Sequence, residues 1–195
     1  NTGAILGPWL GGQIGVHFGL RSIYLVSAII FVISTVVLLF IKPQPVDAPV
    51  AGEKMTRQGL DRRFITFQAI IFLGGFAMYL SQPLSANYLQ NQHDLSLASI
   101  GALGSITSIG VVILNLIVGS FNAHLGYLLG QILVGFFTLI LWQGNSLAWF
   151  SFAYFMLGGY RMARSFAAAQ TRGLVDQSRM GLAYGITETI GASAV

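Results

Sequence analysis

Two long stretches without a charged side chain limit what this chain can fold into. No Asp, Glu, Lys or Arg occurs in residues 64–93 or in residues 95–160, which are runs of 30 and 66 residues. About a quarter of the residues in soluble domains are charged, whereas the fraction here is 8%. A surface that faces lipid needs no such charges. The sequence therefore excludes a soluble enzyme or nucleic-acid-binding domain and predicts a protein embedded in a lipid bilayer.

The apolar residues form segments of the length that a helix needs to cross a bilayer. A spanning helix takes roughly 20 residues at about 1.5 Å each. Strands of a membrane barrel would be about 10 residues long with alternating polarity, and this sequence does not alternate in that way. We therefore predict an all-α polytopic membrane protein, a partial chain whose first and last segments are truncated. Its seven transmembrane segments are 1–18, 22–41, 64–90, 97–121, 125–142, 147–171 and 181–195.

Basic residues are concentrated in two of the loops between these segments. Residues 42–63 contain five Lys or Arg and residues 172–180 contain two, whereas the opposite side has only Arg21. Loops rich in Lys and Arg remain in the cytoplasm. We therefore predict that loops 42–63 and 172–180 are cytoplasmic and that the protein lies in the cell membrane. This placement accounts for the net charge of +4 without a nucleic-acid partner.

Residues 42–63 also form the predicted domain boundary. The stretch contains three prolines and eight charged residues, and proline interrupts helices. It is therefore predicted to be a linker between two helical units, residues 1–41 and 64–195. A short amphipathic helix at residues 55–64, lying on the membrane surface, is a further hypothesis.

The first segment carries a row of glycines. Five glycines recur at every fourth position: Gly3, Gly7, Gly11, Gly15 and Gly19. Pro8 and Gly12 lie in the same segment. Small residues at this spacing let two helix backbones approach closely in lipid, where no hydrophobic force drives helix association. Proline removes one helical hydrogen bond. We therefore predict a bend near Pro8 and a glycine face that packs on a neighbouring helix.

The sequence Gly3-x-x-x-Gly7-Pro8-x-x-Gly11-Gly12 resembles the signature of the fifth helix in the major facilitator superfamily of transporters. The order of segments and loops is similar to helices five to eleven of the twelve in that family. The resemblance implies that residues 1–41 are the last two helices of the N-terminal bundle and residues 42–63 the cytoplasmic linker. Residues 64–195 would then be helices seven to eleven of the C-terminal bundle, the last of them truncated. It also implies that the first and fourth segments meet where the two bundles touch.

The same resemblance implies a function. It predicts a secondary active transporter of a small-molecule substrate that works by alternating access, with H+ as the expected coupling ion. The glycine signature is most associated with antiporters, so efflux by antiport is the favoured direction. The alternative is a membrane receptor or scaffold that has the same fold and does not transport.

Three charged residues lie well inside predicted segments, and each is costly in lipid unless it faces a cavity or a partner. Arg161 and Arg164 are three residues apart and so share one helix face. Counted from the inner ends of their segments, Arg164 and Glu188 both lie about 12 Å deep and Arg161 about 16 Å. Two hypotheses follow. Either the arginines bind an anionic or polar substrate and Glu188 carries a proton, or Arg164 and Glu188 form a structural pair.

Uncharged polar residues supply the remaining candidates for the substrate or ion pathway. The outer half of the third segment is polar and contains Pro83, and interrupted polar helices in transporters often line cavities. Gln82 and Asn87 are the candidates there, with Gln68 further inward; the alternative is that this end simply protrudes into solvent. Asn115 is a weaker candidate, since a lone Asn often bonds between helices.

The sequence lacks the residues that other kinds of chemistry need. The absence of cysteine excludes disulfides, thiol catalysis and thiolate metal sites, and the three histidines are scattered on loops or segment ends. No nucleotide-binding or hydrolase motif occurs. We therefore predict no metal, no cofactor and no enzymatic activity, with the lipid bilayer, a small-molecule substrate and H+ as the partners.

Overall fold

Helices make up almost all of the part of the chain that can be described. The computed structural model describes residues 2–40, 62–175 and 179–194, and within these ranges it contains no strand. The helices are α1 (Thr2–Phe18), α2 (Leu20–Leu39), α3 (Arg62–Tyr79), α4 (Gln82–Gln92), α5 (Leu97–Val118), α6 (Ala123–Gln143), α7 (Leu147–Leu174) and α8 (Met180–Ser193).

Each of the seven predicted segments corresponds to a helix or, for the third, to a pair of helices. The predicted linker overlaps α3 at its C-terminal end, where Arg62 and Arg63 form the first turn of that helix. Residues 41–61, with most of the predicted surface helix, lie outside the described residues. Arg62, Arg63 and Phe64 of that predicted helix belong to α3.

Three stretches are both long and apolar enough to cross a membrane: Arg62–Gln92, Leu97–Val118 and Ala123–Gln143. Among the other described helices, α7 has 28 residues, and its arginines lower the mean hydropathy. The described parts of α1 and α8 have 17 and 14 residues, which is shorter than the roughly 20 residues of a full crossing.

The third segment is interrupted between α3 and α4. The helix ends at Tyr79, Leu80 and Ser81 form a turn, and Pro83 lies in the first turn of α4. A proline in a helix interior would leave the carbonyl four residues earlier without its donor, whereas in a first turn no hydrogen bond is lost. The Gln82 side-chain amide donates to the Met78 carbonyl across the turn, at 2.9 Å.

Helix α1 packs along α5, as the resemblance implied. Pro8 cannot donate to the Ala4 carbonyl, and this carbonyl instead accepts a hydrogen bond from the Ser108 hydroxyl of α5 at 2.6 Å. One residue after the proline, the Trp9 N–H donates to Ser105 Oγ at 3.1 Å. The backbone groups disturbed by proline are therefore satisfied by hydroxyls of α5.

The glycine row contacts α5 only in part. A Cβ on Gly12 would lie 2.9 Å from the Leu97 carbonyl oxygen, so this glycine permits the close approach. A Cβ added to Gly3, Gly7 or Gly11 would have no atom of the described chain within 4 Å. The contact with α5 runs along Ala4, Pro8 and Gly12, and the packing of Gly3, Gly7 and Gly11 on a neighbouring helix stays a prediction. Gly19 is a turn residue with a positive φ of 80°, which favours glycine.

Helices α5, α6 and α7 form the main apolar core. Its fully buried side chains include Leu103, Phe137, Phe150 and Met162. Glycines bring the backbones close: a Cβ on Gly158 of α7 would lie 2.6 Å from the Val111 nitrogen of α5. This rigid three-helix contact holds α7 in place, and α7 in turn presents its arginines beside α3 and α8.

Candidate functional site

An ion pair joins α7 to α8. Arg164 Nη2 donates to Glu188 Oε2, and the two side chains are 49% and 59% exposed. The equal depth estimated for the two residues from the sequence agrees with this contact. The pair therefore links α7 to α8 by charge.

A second arginine lies one turn away on the same helix. Arg161 is exposed, and within the described residues no hydrogen bond or ion pair of its guanidinium is found; only its carbonyl takes part, as acceptor from Ser165. Arg161, Arg164 and Glu188 together carry a net charge of +1. Arg161 is thus a donor group beside a pair that is already neutral.

Two tyrosine rings lie near the ion pair. Tyr160 of α7 is four residues before Arg164, and its ring centroid is 6.3 Å from that of Tyr79 in α3, at an interplanar angle of 43°. A cavity of about 30 Å³ lies between the helices, and Tyr160, Arg164 and Glu188 contribute to its wall. A water molecule needs about 10–15 Å³ of such volume, so this space is of a size for one or two waters.

A buried polar cluster lies next to the ion pair, around Thr187. Gln68 Nε2 of α3 donates to Thr187 Oγ1 of α8 at 2.8 Å, and the Thr171 and Thr187 hydroxyls are 3.2 Å apart. Gln68 is 5% exposed, Thr187 6% and Thr171 0%. Gln68 Oε1 has no hydrogen-bond partner within the described part of the chain. Gln68 therefore connects α3 to α8 and does not face open space.

The other polar candidates lie apart from this site. Gln82 bridges the turn between α3 and α4, Asn87 is exposed and pairs with Asn91 one turn further along α4, and Asn115 Nδ2 donates to the Val111 carbonyl of its own helix at 2.7 Å. The structure brings Arg164 and Glu188 together, with Arg161 one turn away on α7 and Gln68 beside them through Thr187. It does not bring Gln82, Asn87 or Asn115 to them. The roles of all seven residues in a pathway stay predictions.

Four residues around the ion pair were not predicted from the sequence: Tyr79, Tyr160, Thr171 and Thr187. The signal for one of them is simple in retrospect. Tyr160 and Arg164 are four residues apart and so share a helix face. Which faces of α3, α7 and α8 meet depends on helix rotation, which a sequence of uniformly apolar helices does not encode.

One comparison with known proteins identifies a family. The family model described as Major Facilitator Superfamily matches residues 1–195. No curated protein matches the chain, and no solved structure does either.

Proposed function

This chain belongs to the major facilitator superfamily, and from that premise we propose that it acts as a proton-coupled antiporter, with the Arg164–Glu188 pair in its pathway. The family is one of membrane transporters, and the apolar helices of the chain agree with an integral membrane protein. The proposal concerns the coupling ion, the direction of transport and the residues that bind substrate.

The observation that carries the proposal is the ion pair between α7 and α8, which lies at the wall of a small cavity. An arginine or a carboxylate at the centre of a spanning helix costs about 2.5–3.5 kcal/mol on insertion scales. Arg164 and Glu188 offset each other's charge and, with Tyr160, contribute to the wall of a small cavity between the helices. Water in such a cavity would solvate both charges, which suits a place in a transport pathway.

Glu188 is the proposed proton carrier. Among the described residues, it is the one carboxylate within a helix; the other, Asp94, lies in the turn before α5. Ionised Glu188 accepts charge-assisted hydrogen bonds from Arg164 or from a donor group of a substrate, and protonation removes the negative charge that makes these bonds strong. A proton and a polar substrate would therefore compete for the same carboxylate, which is the requirement for antiport.

Arg161 is the proposed anchor for the other end of the substrate. Its guanidinium carries five donors and no acceptor, and carboxylate or phosphate groups pair with it in a bidentate way. The site as a whole then recognises a small polar or anionic molecule that has an acceptor for Arg161 and a donor for Glu188. Rocking of the two bundles about this site would expose it to each side in turn.

The test uses the full-length protein in inverted vesicles and a panel of labelled polar and anionic compounds. Antiport predicts that uptake requires an acidic vesicle interior and that protons leave as substrate enters. We expect Glu188→Gln to abolish the dependence on the pH gradient and Arg161→Ala to raise KM by roughly tenfold or more, the worth of a charged hydrogen bond. Arg172→Ala, in the last turn of the same helix, is the matched control and should transport normally.

The outcomes separate the competing explanations. Unchanged pH dependence in Glu188→Gln together with unchanged KM in Arg161→Ala, in variants that fold normally, would make the pair structural. A requirement for an acidic exterior would replace antiport with symport. Absence of flux for every compound under every gradient would favour the receptor or scaffold.

A further inference from the structure

The small cavity beside the ion pair lies where four helices meet. Helices α3, α6, α7 and α8 all contribute to its wall, and its volume is about 30 Å³. Arg164 and Glu188 belong to this wall, and so does Tyr127 of α6. Ile71 and Met78 of α3 are among its apolar members. The cavity therefore brings a carboxylate of α8 and a tyrosine of α6 to the same small space.

Tyr127 has a buried hydroxyl group in need of a partner. The residue is 4% exposed, and its hydroxyl oxygen has no hydrogen-bond partner within the described part of the chain. The hydroxyl lies against α3 at Gly74, where an added Cβ would overlap it. Leaving a buried donor or acceptor unsatisfied is costly, and buried polar groups in native proteins are therefore paired with protein or ordered water. The Tyr127 hydroxyl thus points to a bound partner.

The Gln131 side chain is the protein group that competes for this hydroxyl. Its Nε2 atom also approaches Gly74, so that the same added Cβ would overlap it as well. An amide nitrogen can only donate, and a donation from Gln131 would use a lone pair of the Tyr127 oxygen. The hydroxyl proton of Tyr127 would still need an acceptor.

We propose that the cavity binds an ordered water molecule that connects Tyr127 to Glu188. The water oxygen accepts a hydrogen bond from the Tyr127 hydroxyl, and the water donates to the Glu188 carboxylate. A buried water needs about 10–15 Å³ and typically makes about three hydrogen bonds to polar groups without other partners, and the cavity of about 30 Å³ meets the size requirement. Tyr127 is then a positioning residue that acts on Glu188 through the water.

This water would make it easier for Glu188 to lose its proton. Hydrogen bonds donated to a carboxylate favour its ionised form, and they are stronger than those of a neutral carboxyl group. When Glu188 takes up a proton, its O–H donates to the water, and the water donates to the Tyr127 oxygen instead. A hydroxyl is both donor and acceptor, so Tyr127 can hold the water in either state.

Four other titratable groups lie around Glu188. Arg164 and Tyr160 of α7 share the cavity wall, the Tyr79 ring of α3 packs beside Tyr160, and Arg161 lies one turn from Arg164. A variant of the α6 tyrosine leaves all four in place, so its effect reports on the missing hydroxyl. The inference rests on the proposed function only in treating Glu188 as the proton carrier.

The test records infrared difference spectra of the full-length protein in nanodiscs while the pH is changed. Glu188→Gln identifies the carboxyl band of Glu188, and exchange into water labelled with ¹⁸O identifies the band of a bound water. We expect a water band that changes when Glu188 ionises and that is lost in Tyr127→Phe. The pH at which half of Glu188 is protonated should rise in that variant by roughly one unit, the worth of a charged hydrogen bond.

Tyr154→Phe is the matched control. Tyr154 is buried to a similar extent, at 6% exposed, and loses the same hydroxyl group in the variant. Its hydroxyl donates to Ser85 Oγ at 3.2 Å, and it is not part of the cavity wall. This variant should keep both the water band and the wild-type pH of half-protonation.

Thermal unfolding gives a second reading that does not involve Glu188. Removing a hydroxyl that has no partner should leave stability unchanged or raise it, whereas removing one that holds a water should lower it. We therefore expect Tyr127→Phe to melt below the wild type. Phenylalanine keeps the ring and its packing, so the variant should still fold.

Several results would overturn the proposal. A wild-type protein without a water band that responds to Glu188 would exclude the bound water. A shifted pH of half-protonation in Tyr127→Phe with the water band intact would assign the effect to the hydroxyl alone. An unchanged pH and an unchanged band in that variant would leave the hydroxyl to Gln131. If the expected spectra are found but transport does not depend on protons, the water is supported and the proposed function fails.

Discussion

Thr187 is the residue through which three helices share hydrogen bonds. It accepts a hydrogen bond from Gln68 of α3 at 2.8 Å, lies 3.2 Å from the Thr171 hydroxyl of α7, and donates to the Ala183 carbonyl of its own helix at 2.9 Å. Gln68 Oε1 has no partner in the described part of the chain. Within that part, the Gln68 side chain is therefore hydrogen-bonded through its Nε2 group to Thr187. The cluster therefore couples the position of α8, and with it Glu188, to α3.

We predict that Thr187→Val lowers the free energy of unfolding by about 1 kcal/mol, which is the upper part of the range measured for hydrogen bonds between membrane helices. The valine keeps the shape of threonine and leaves the Gln68 amide unpaired. Thr189→Val is the control, since the exposed Thr189 hydroxyl donates only to the Gly185 carbonyl of its own helix. Denaturant titration in detergent measures both variants. A Thr187→Val protein as stable as Thr189→Val would show that the cluster contributes nothing to the helix contact.

The sequence was informative at this scale where a residue type was rare. Arg164 and Glu188 stand out because charge is scarce in the spanning segments, and counting residues from the helix ends placed them at one depth. Gln68 was also identified, but its burial between α3 and α8 was not, since the direction of a side chain depends on helix rotation. Polar residues such as Asn115 gave the same sequence signal and yet bond within their own helix.

At the scale of helices, the contact between α1 and α5 combines a proline with hydroxyl groups. Pro8 leaves the Ala4 carbonyl without its helical donor, and Ser108 supplies one from the neighbouring helix. A hydroxyl that replaces a missing backbone donor costs less to bury than one that only duplicates an existing bond. The proline therefore frees a backbone carbonyl on α1, and a hydroxyl group of α5 uses it to join the two helices.

This arrangement predicts a specific coupling between the two positions. Ser108→Ala should lower the free energy of unfolding by about 1 kcal/mol, and in a Pro8→Ala background it should cost clearly less, because the N–H of Ala at position 8 then bonds to the Ala4 carbonyl. Ser165→Ala, whose exposed hydroxyl bonds to the Arg161 carbonyl of its own helix, should cost little in either background. A double-mutant cycle by detergent unfolding measures the coupling. Equal costs of Ser108→Ala in both backgrounds would contradict the explanation.

Helix positions were predicted well from the sequence, and helix contacts were not. Polar turns and capping residues mark the starts of α5, α6 and α7. There the side chains of Ser96, Asn122 and Ser146 accept hydrogen bonds from backbone N–H groups of the first turn. The break in the third segment was expected at Pro83 and lies before it, because the helix can restart with proline in its first turn. The glycine row of α1 predicted close packing but not which glycines take part, since a row with a four-residue period drifts around the helix.

At the scale of the whole molecule, the start of α3, the start of α6 and the end of α7 border one cavity. The predicted order of transmembrane segments places these three helix ends on the same side of the membrane. Helices α5 and α6, with 22 and 21 residues, are about 31–33 Å long at 1.5 Å per residue. That length matches the hydrocarbon core of about 30 Å. The two turns that follow α5 and α6 should therefore lie at opposite membrane surfaces.

The absence of cysteine from the sequence makes this arrangement testable with single introduced cysteines. Ser120 lies in the turn between α5 and α6 and Asn145 in the turn between α6 and α7, and both are exposed. Because the basic loops are expected to remain in the cytoplasm, a membrane-impermeant maleimide added to intact cells should label Asn145→Cys and leave Ser120→Cys unlabelled until the membrane is opened. Labelling of Ser120→Cys alone would invert the predicted orientation. Labelling of both from outside would mean that α6 does not cross the bilayer, and the span count would then fail from that helix onward.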